Sequence, residues 1–364
     1  MHVTGVLKRT EKGGVLRDPA RSFKHGPRDA TVPFALMKQY NLHEGVKIEG
    51  IGREQKRAPE VVEITSLCGL PPEEFMARKP FNQLTAIDPL ERFHLGITGD
   101  PCMRIMDLIS PIGKGTRGLI VSPPKAGKTM MLEAIARSIR REYPDARIIA
   151  LLIDERPEEV THFRRAVDVE VLASSNDQTN EEHVELSELT LAHVRTELEC
   201  GRNVVVLIDS ITRMGRAFNI MGSGSGRTMS GGLEAGALEL PRRFFGLARN
   251  VEHGGSVTII ATALVQTGSR MDDFIFQEFK GTGNCEIVLD RGLSEQRIFP
   301  AVNVNESGTR KEANLYSPEE YKGMTALRRV LASYSTEDAL KFLLMLIDKY
   351  ADNTALLKYL AKSG

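Results

Sequence analysis

Only four cysteines occur in the 364 residues, and Cys68, Cys102, Cys200 and Cys285 are widely scattered. With no CxxC pair and no zinc spacing, they exclude a disulfide framework and read as reduced thiols. Long apolar runs are also missing: none reaches the roughly 18 residues that a membrane span needs. Met1-His2-Val3-Thr4-Gly5 lacks the basic-then-apolar pattern of a signal peptide. These absences together give a cytoplasmic expectation. Net charge is zero, with 48 Lys+Arg against 48 Asp+Glu, so overall charge argues neither for nor against nucleic acid. Residues 1–66 carry 12 Lys/Arg and 8 Asp/Glu, a mild basic excess that an ordinary solvated surface explains equally well. Hydrophobic residues, at 41%, suffice for a substantial core.

What the chain does have is Ser122-Pro123-Pro124-Lys125-Ala126-Gly127-Lys128-Thr129. The apolar run Gly118–Val121 leads in as a buried strand, and Met130–Arg137 follows with helical spacing. Strand, tight loop and helix N-terminus aim backbone N–H groups at an anion. Lys128 then reaches the β/γ-phosphates, and the Thr129 hydroxyl ligates Mg²⁺. Ser122 stands where the usual pattern has its first glycine, so the flanking strand and helix carry the assignment.

Residues 1–68 read as short β segments at Val3–Leu7, Gly14–Arg17, Thr31–Val32, Val46–Ile51 and Glu60–Ile64, with a helical turn at Ala35–Tyr40. Turn signals separate them, which suggests a small barrel. Residues 69–100 contain Pro71, Pro72, Pro80 and Pro89 and read as a linker. From 101 to 364 the pattern alternates. Strands are expected at Leu119–Val121, Ile148–Ile153, Glu170–Ala173, Val204–Ile208, Val257–Thr262 and Cys285–Leu289. Helices are expected at Lys128–Tyr143, Pro157–Val167, Glu181–Glu199, Leu240–Asn250 and Thr336–Asp348. The fold class is α/β with a mostly parallel sheet.

Two strands end in acids. Val204–Ile208 runs into Asp209, placed to hold a Mg²⁺ water shell beside a phosphate loop. Ile148–Ile153 runs into Asp154-Glu155; either acid could orient the attacking water, and Asp154 could instead cap the next helix. Two glycine-rich stretches, Met221–Gly232 and Gly268–Met271 with Lys280–Asn284, suit close approach to a partner or serve as plain surface connections. Arg297 and Arg310 follow the last strand, suited to a phosphoryl group supplied in trans or to surface ion pairs.

Taken together, these strings resemble the bacterial Rho transcription termination factors, ring-shaped RNA-dependent ATPases and helicases of the RecA-like class. The likeness covers essentially the whole chain. It is carried by Ser110–Gly118, Val121–Thr129, Leu152–Thr161, Leu207–Arg213, Pro241–Gly246, Thr258–Leu264, Glu278–Asn284 and Thr309–Glu312. It implies a RecA-like P-loop ATPase domain preceded by a small OB-like, cold-shock-like barrel. It implies ATP contacts from Gly113, Lys114, Gly115, Thr116, Arg117 and Gly118, and from Lys125, Ala126, Gly127, Lys128, Thr129 and Met130. Arg156 lies beside the nucleotide, and Phe299 with Met130 sandwiches the base. By the same resemblance Glu155 activates water, Asp209 and Thr129 serve Mg²⁺, Arg213 and Arg297 support the γ-phosphate, and Arg310 is an arginine finger from a neighbouring subunit. Arg227 and Thr228, and a loop with Arg270, Lys280, Gly281, Thr282 and Gly283, line a central RNA channel. The implied assembly is a homohexamer on single-stranded RNA, with RNA polymerase and elongation factors as further partners.

The barrel departs from the family pattern. A Gly-aromatic-Gly-aromatic turn is expected, whereas this chain has Lys12-Gly13-Gly14-Val15-Leu16-Arg17, with Thr31 and Ala58 at the other aromatic positions. Each lost stack is worth ~1–3 kcal/mol per base. Lys12, Arg17, Lys56 and Arg57 remain as weak, mainly electrostatic RNA contacts. Two rival readings follow: a ring whose barrel binds a protein, and a non-catalytic RNA-binding assembly gated by ATP. The joint presence of Lys128, Glu155, Asp209 and Arg310 argues against the second.

Overall fold

The computed structural model describes residues 1–222, 232–234 and 236–363. Five strands near the N-terminus, β1 (His2–Thr10), β2 (Gly13–Arg17), β3 (Thr31–Pro33), β4 (Lys47–Arg53) and β5 (Glu60–Leu67), close into a barrel in the order β1-β2-β3-β5-β4. Alternation drives this closure. Val3, Leu7, Leu16, Val32, Ile48, Val61 and Ile64 point inward to one core, while the intervening residues face out. Helix α1 (Phe34–Gln39) follows β3 and plugs the barrel with Met37.

The stretch expected as a linker is more structured than its prolines suggest. It holds α2 (Pro72–Ala77), which buries Phe75 against the barrel, and β6 (Ala86–Ile87). β6 pairs antiparallel with β11 (Arg249–Val251) and so adds to the second sheet.

That sheet has six parallel strands at its centre: β7 (Arg117–Ser122), β8 (Arg147–Glu155), β9 (Glu170–Ser175), β10 (Asn203–Asp209), β12 (Ser256–Leu264) and β13 (Cys285–Val288). Antiparallel β14 (Gly308–Thr309) caps one edge, giving the order β14-β13-β7-β12-β10-β8-β9. Runs such as Val204–Ile208 are buried on both faces, as expected for parallel strands covered by helices. One face packs on α3 (Pro101–Ile109), α4 (Lys128–Glu142), α5 (Pro157–Ala166) and the C-terminal helices α11 (Pro318–Leu331), α12 (Thr336–Lys349) and α13 (Asn353–Ser363). The other packs on α6 (Asn180–Glu199), α7 (Ile211–Gly222), α8 (Glu239–Phe245) and α9 (Arg270–Lys280). A short α10 (Arg291–Glu295) follows β13.

Two expectations are corrected. The helix expected over Leu240–Asn250 stops at Phe245, because Arg249–Val251 finds strand partners in β6 and β12. The stretch from Gly268 to Asn284 is not one loop. Helix α9 separates Arg270 from Lys280, starting with Ser269 accepting the Asp272 N–H and burying Ile275 and Phe279.

The barrel rests on α6 and β9 through polar contacts. His193 Nδ1 meets the Gly45 carbonyl at 2.7 Å, Arg78 Nε donates to Glu199 at 3.2 Å, and the Ala173 N–H donates to Ser22 Oγ at 2.9 Å. Gly45 has φ +92, and a Cβ there would lie 2.3 Å from the Ala192 backbone, so only glycine permits this approach.

Candidate nucleotide-binding site

The carboxyl ends of parallel strands form the ligand crevice of an open α/β sheet, and here they gather one cation and two acids. The loop after β7 reaches Gly127, whose φ of 94 starts α4 in the left-handed region. Lys128, the first helical residue, turns its side chain back across the crevice. Its Nζ lies 2.6 Å from both carboxylate oxygens of Asp209, at the end of β10, and 3.0 Å from Glu155 Oε1, at the end of β8. Thr129 Oγ1 approaches Asp209 at 3.5 Å, and Thr262 donates to Asp209 at 2.7 Å. Burial works against the Lys128 charge, but Asp209 and Glu155 outweigh it and hold its pKa above the ordinary lysine value.

The neighbouring acids have different surroundings. Asp154 has φ +56 and sits where the β8–β9 register slips. The slip turns its half-exposed carboxylate toward Arg213 at 3.3 Å, and Arg213 also donates to its carbonyl. Glu155 is 2% exposed. Burial pushes its carboxyl above the usual glutamate range, against the opposing pull of Lys128 and of Arg213, whose Nε is 3.6 Å away. Only Glu155 therefore faces the crevice that Lys128 and Asp209 share.

Arg156 is exposed at the start of α5. Ser294 Oγ donates to the Lys125 carbonyl at 3.0 Å, tying α10 and the segment beyond it to the phosphate loop. That segment carries exposed Arg297 and Phe299. Met130 is 72% exposed and Phe299 50%, large apolar side chains left uncovered near the loop.

A second set of expected nucleotide contacts lies elsewhere. Gly113–Arg117 precede and open β7, so they stand at the far end of a six-residue strand, about 20 Å from the loop. Thr116 is fully buried and accepts the Gly113 N–H at 2.9 Å. Gly115 N–H donates to Thr258, Lys114 pairs with Glu91 at 2.6 Å, and Arg117 Nε donates to the Thr282 carbonyl. Exposed Arg310 borders a hollow with Arg117, Gly281, Thr282 and Gly283. Gly113–Arg117 and Lys125–Met130, both expected to contact nucleotide, therefore stand at opposite ends of β7. Lys280–Gly283 share this far end, whereas Arg270 lies at the opposite end of α9. Arg227 and Thr228 lie outside the described residues.

In the barrel, Lys12, Lys56 and Arg57 are exposed. Arg17 is not free: its guanidinium pairs with buried Asp29 at 2.8 Å, with 11% of the side chain exposed. Thr31 pairs with Val15 on β2 and reaches the Pro59 carbonyl beside Ala58, so the positions without aromatics share one outer surface. Sequence reasoning missed Phe34, 61% exposed at the start of α1, with its backbone against Gly13. An aromatic beginning a helix directly after the short strand β3 was the available signal.

Oxygen donors suit a hard cation, and the Thr129 hydroxyl beside the Asp209 carboxylate fits Mg²⁺ held with a nucleotide. Among the described residues no helix is long and apolar enough to cross a membrane.

Comparison with known proteins agrees with this geometry. Residues 102–309 match the family model of the ATP synthase alpha/beta family, nucleotide-binding domain. Transcription termination factor Rho of Akkermansia muciniphila is 46% identical over 98% of this chain and 76% of its own length. Rho of Aquifex aeolicus is 46% identical over 98% and 84%. Rho of Micrococcus luteus is 46% identical over 99% of this chain, which spans about half (54%) of that relative's length. A prototypical ATPase of the type III secretion system of pathogenic bacteria superposes with a TM-score of 0.65 at 21% identity, covering 85% of this chain and 93% of the other. Assembled EscN from enteropathogenic E. coli gives 0.61, also at 21% identity, covering 79% and 73%. At such identities the structural likeness speaks to fold.

Proposed function

This chain belongs to the family of transcription termination factor Rho, and we propose that it is an ATP-hydrolysing, RNA-stimulated translocase and helicase of the cytoplasm that acts as a homohexamer in transcription termination. The observation that carries the reading is Lys128 bridging two buried acids, Glu155 and Asp209, at strand ends beside a phosphate loop. With ATP bound, Lys128 exchanges these carboxylates for phosphate oxygens, and Thr129 with Asp209 holds Mg²⁺, which neutralises phosphate charge. Glu155, freed from Lys128, accepts a proton from the attacking water. Arg213 and Arg297 steady the γ-phosphate, while Arg156, Met130 and Phe299 enclose the rest of the nucleotide.

Arg310 lies beside Arg117 at the amino end of β7, about 20 Å along that six-residue strand from the phosphate loop, and in this reading Arg310 and Gly113–Arg117 serve a nucleotide across a subunit boundary. A ring of identical chains supplies that boundary at every site. Lys280–Gly283, beside Arg310, contact RNA and couple it to hydrolysis. RNA enters over the barrel at residues 1–68, held by Lys12, Lys56 and Arg57 and stacked on Phe34. RNA polymerase and elongation factors are the partners such a ring would meet.

ATP turnover measured with and without pyrimidine-rich RNA tests the reading. Stimulation by RNA is expected. Turnover indifferent to RNA would favour a barrel that binds protein, and no turnover at all would favour a non-catalytic assembly.

A further inference from the structure

A second cleft, of ≈ 830 Å³, opens where the barrel meets α6, α8 and β11. Arg9 of β1, Arg78, Arg195 of α6, Arg243 of α8 and Arg249 of β11 border it, against the carboxylates Glu44, Glu188 and Glu199. Most of the negative charge is already committed. Glu199 holds Arg78 and Arg195 and accepts the Phe81 N–H at 3.1 Å. Glu44 takes Lys8 and the Arg9 N–H. Of the cleft's three carboxylates, Glu188 alone has no ion pair among the described residues.

The five arginines outnumber the three carboxylates. The Arg249 guanidinium lies 4.0 Å from the Phe81 ring centroid and that of Arg195 lies 5.0 Å from it. Arg249 donates to the Gly246 carbonyl, its Nε is buried with no hydrogen-bond partner, and it makes no ion pair among the described residues. Burial, with Arg117 and Arg195 close by, depresses its pKa. Exposed Arg9 and Arg243 likewise have no side-chain ion pair among the described residues. Like charges gathered on a half-buried ring are costly unless an anion completes them.

We infer that this cleft binds the phosphodiester backbone of single-stranded RNA between the barrel and the ATPase sheet, an inference that rests on the RNA-dependent reading above. Arg9 is on the same hairpin as exposed Lys12, so the basic surface of the barrel continues into the cleft. Guanidiniums already occupy Phe81, which leaves the cleft to recognise phosphate rather than stack bases. Binding here is therefore indifferent to base identity.

Fluorescence anisotropy of the full chain with labelled oligocytidine and oligoadenine RNA, across a salt series, tests this. Joint substitution Arg9→Ala and Arg243→Ala should weaken binding of both RNAs about tenfold and flatten the log–log salt dependence by about 1.4, from two lost phosphate contacts. Glu188→Gln should tighten binding of both, a gain that misfolding cannot produce. If the unaltered protein binds RNA while the double substitution leaves affinity and salt slope unchanged, the cleft inference fails and the RNA reading stands. A loss confined to oligocytidine would overturn it too, since the contact would then be to bases. Failure of the unaltered protein to bind either RNA would sink the underlying reading and this inference with it.

Discussion

Glu155→Ala separates the two acids that the sequence places side by side. Glu155 is 2% exposed and 3.0 Å from Lys128, while Asp154 is turned out to Arg213. Removing Glu155 leaves Lys128 its contact with Asp209, so the phosphate loop keeps its shape and ATP still binds. A general base contributes about 10²–10⁴-fold, so turnover should fall at least ~100-fold, or about 2.7 kcal/mol of barrier. Acidity gives a second readout. A base must be ionised, and burial raises the Glu155 pKa above its ordinary 4.5. The acid limb of kcat/KM therefore lies above that value, with activity lost as pH falls through it. Asp154→Ala should keep both the limb and most of the turnover. Steady-state ATPase assays over pH, with nucleotide binding measured separately, check each step. Near-normal turnover in Glu155→Ala, or loss of the limb in Asp154→Ala, would refute the assignment.

Other outcomes follow from the same geometry. Arg310→Ala and Lys128→Ala subunits, each inactive alone, should regain part of the activity when mixed, because some interfaces recover both groups; activity no greater than that of the separate proteins would deny a shared site. Buried His193, whose Nδ1 meets the Gly45 carbonyl, has its pKa driven down to about 3 by burial first and Arg147 next. Its folded pKa lies below the unfolded value, so it favours folding above pH ~6.5 and loses that contribution as pH falls toward 3. Between pH 7 and 5 this costs about 2 kcal/mol, visible as a steeper loss of urea midpoint in the unaltered protein than in His193→Gln. In the barrel, Phe34→Ala should weaken RNA binding by one stack, ~1–3 kcal/mol, whereas Arg17→Ala, which breaks a pair with Asp29, should show mainly as lost stability in thermal unfolding.

The parallel sheet was legible because its strands are unbroken apolar runs, a pattern that burial on both faces demands. Barrel strands were legible through alternation and turns. Several helices were not, among them α3, α7, α9, α11 and α13; α7 and α9 show two different reasons. α7 carries Gly215, which reads as a breaker but packs against Ile275 and Leu238 of neighbouring elements. α9 starts inside a glycine-flanked segment, and of its apolar residues only Ile275 and Phe279 are fully buried, with Met271 and Phe276 partly so. The overrun at Leu240–Asn250 has a tertiary cause: helical spacing continues through Leu247, yet an available strand edge captures Arg249–Val251. Within the site, strand-end acids were readable, but the choice between Asp154 and Glu155 depends on a local register slip that leaves no mark in composition.

The two ends of the sheet explain why this chain reads as a subunit. At the carboxyl ends stand the phosphate loop, Glu155 and Asp209; at the amino end of β7 stand Arg117, Arg310 and the Lys280–Gly283 turn. α9 runs between these ends, its Arg270 near one and its Lys280 at the other. A rigid helix of eleven residues, about 16 Å long, can carry displacement from a nucleotide held at one end to a contact at the other. Coupling across the sheet then needs no flexible wire, only a neighbour placed so that its nucleotide meets Arg310. In such an arrangement every interface reads the ATP state of one subunit and reports it through the body of the next.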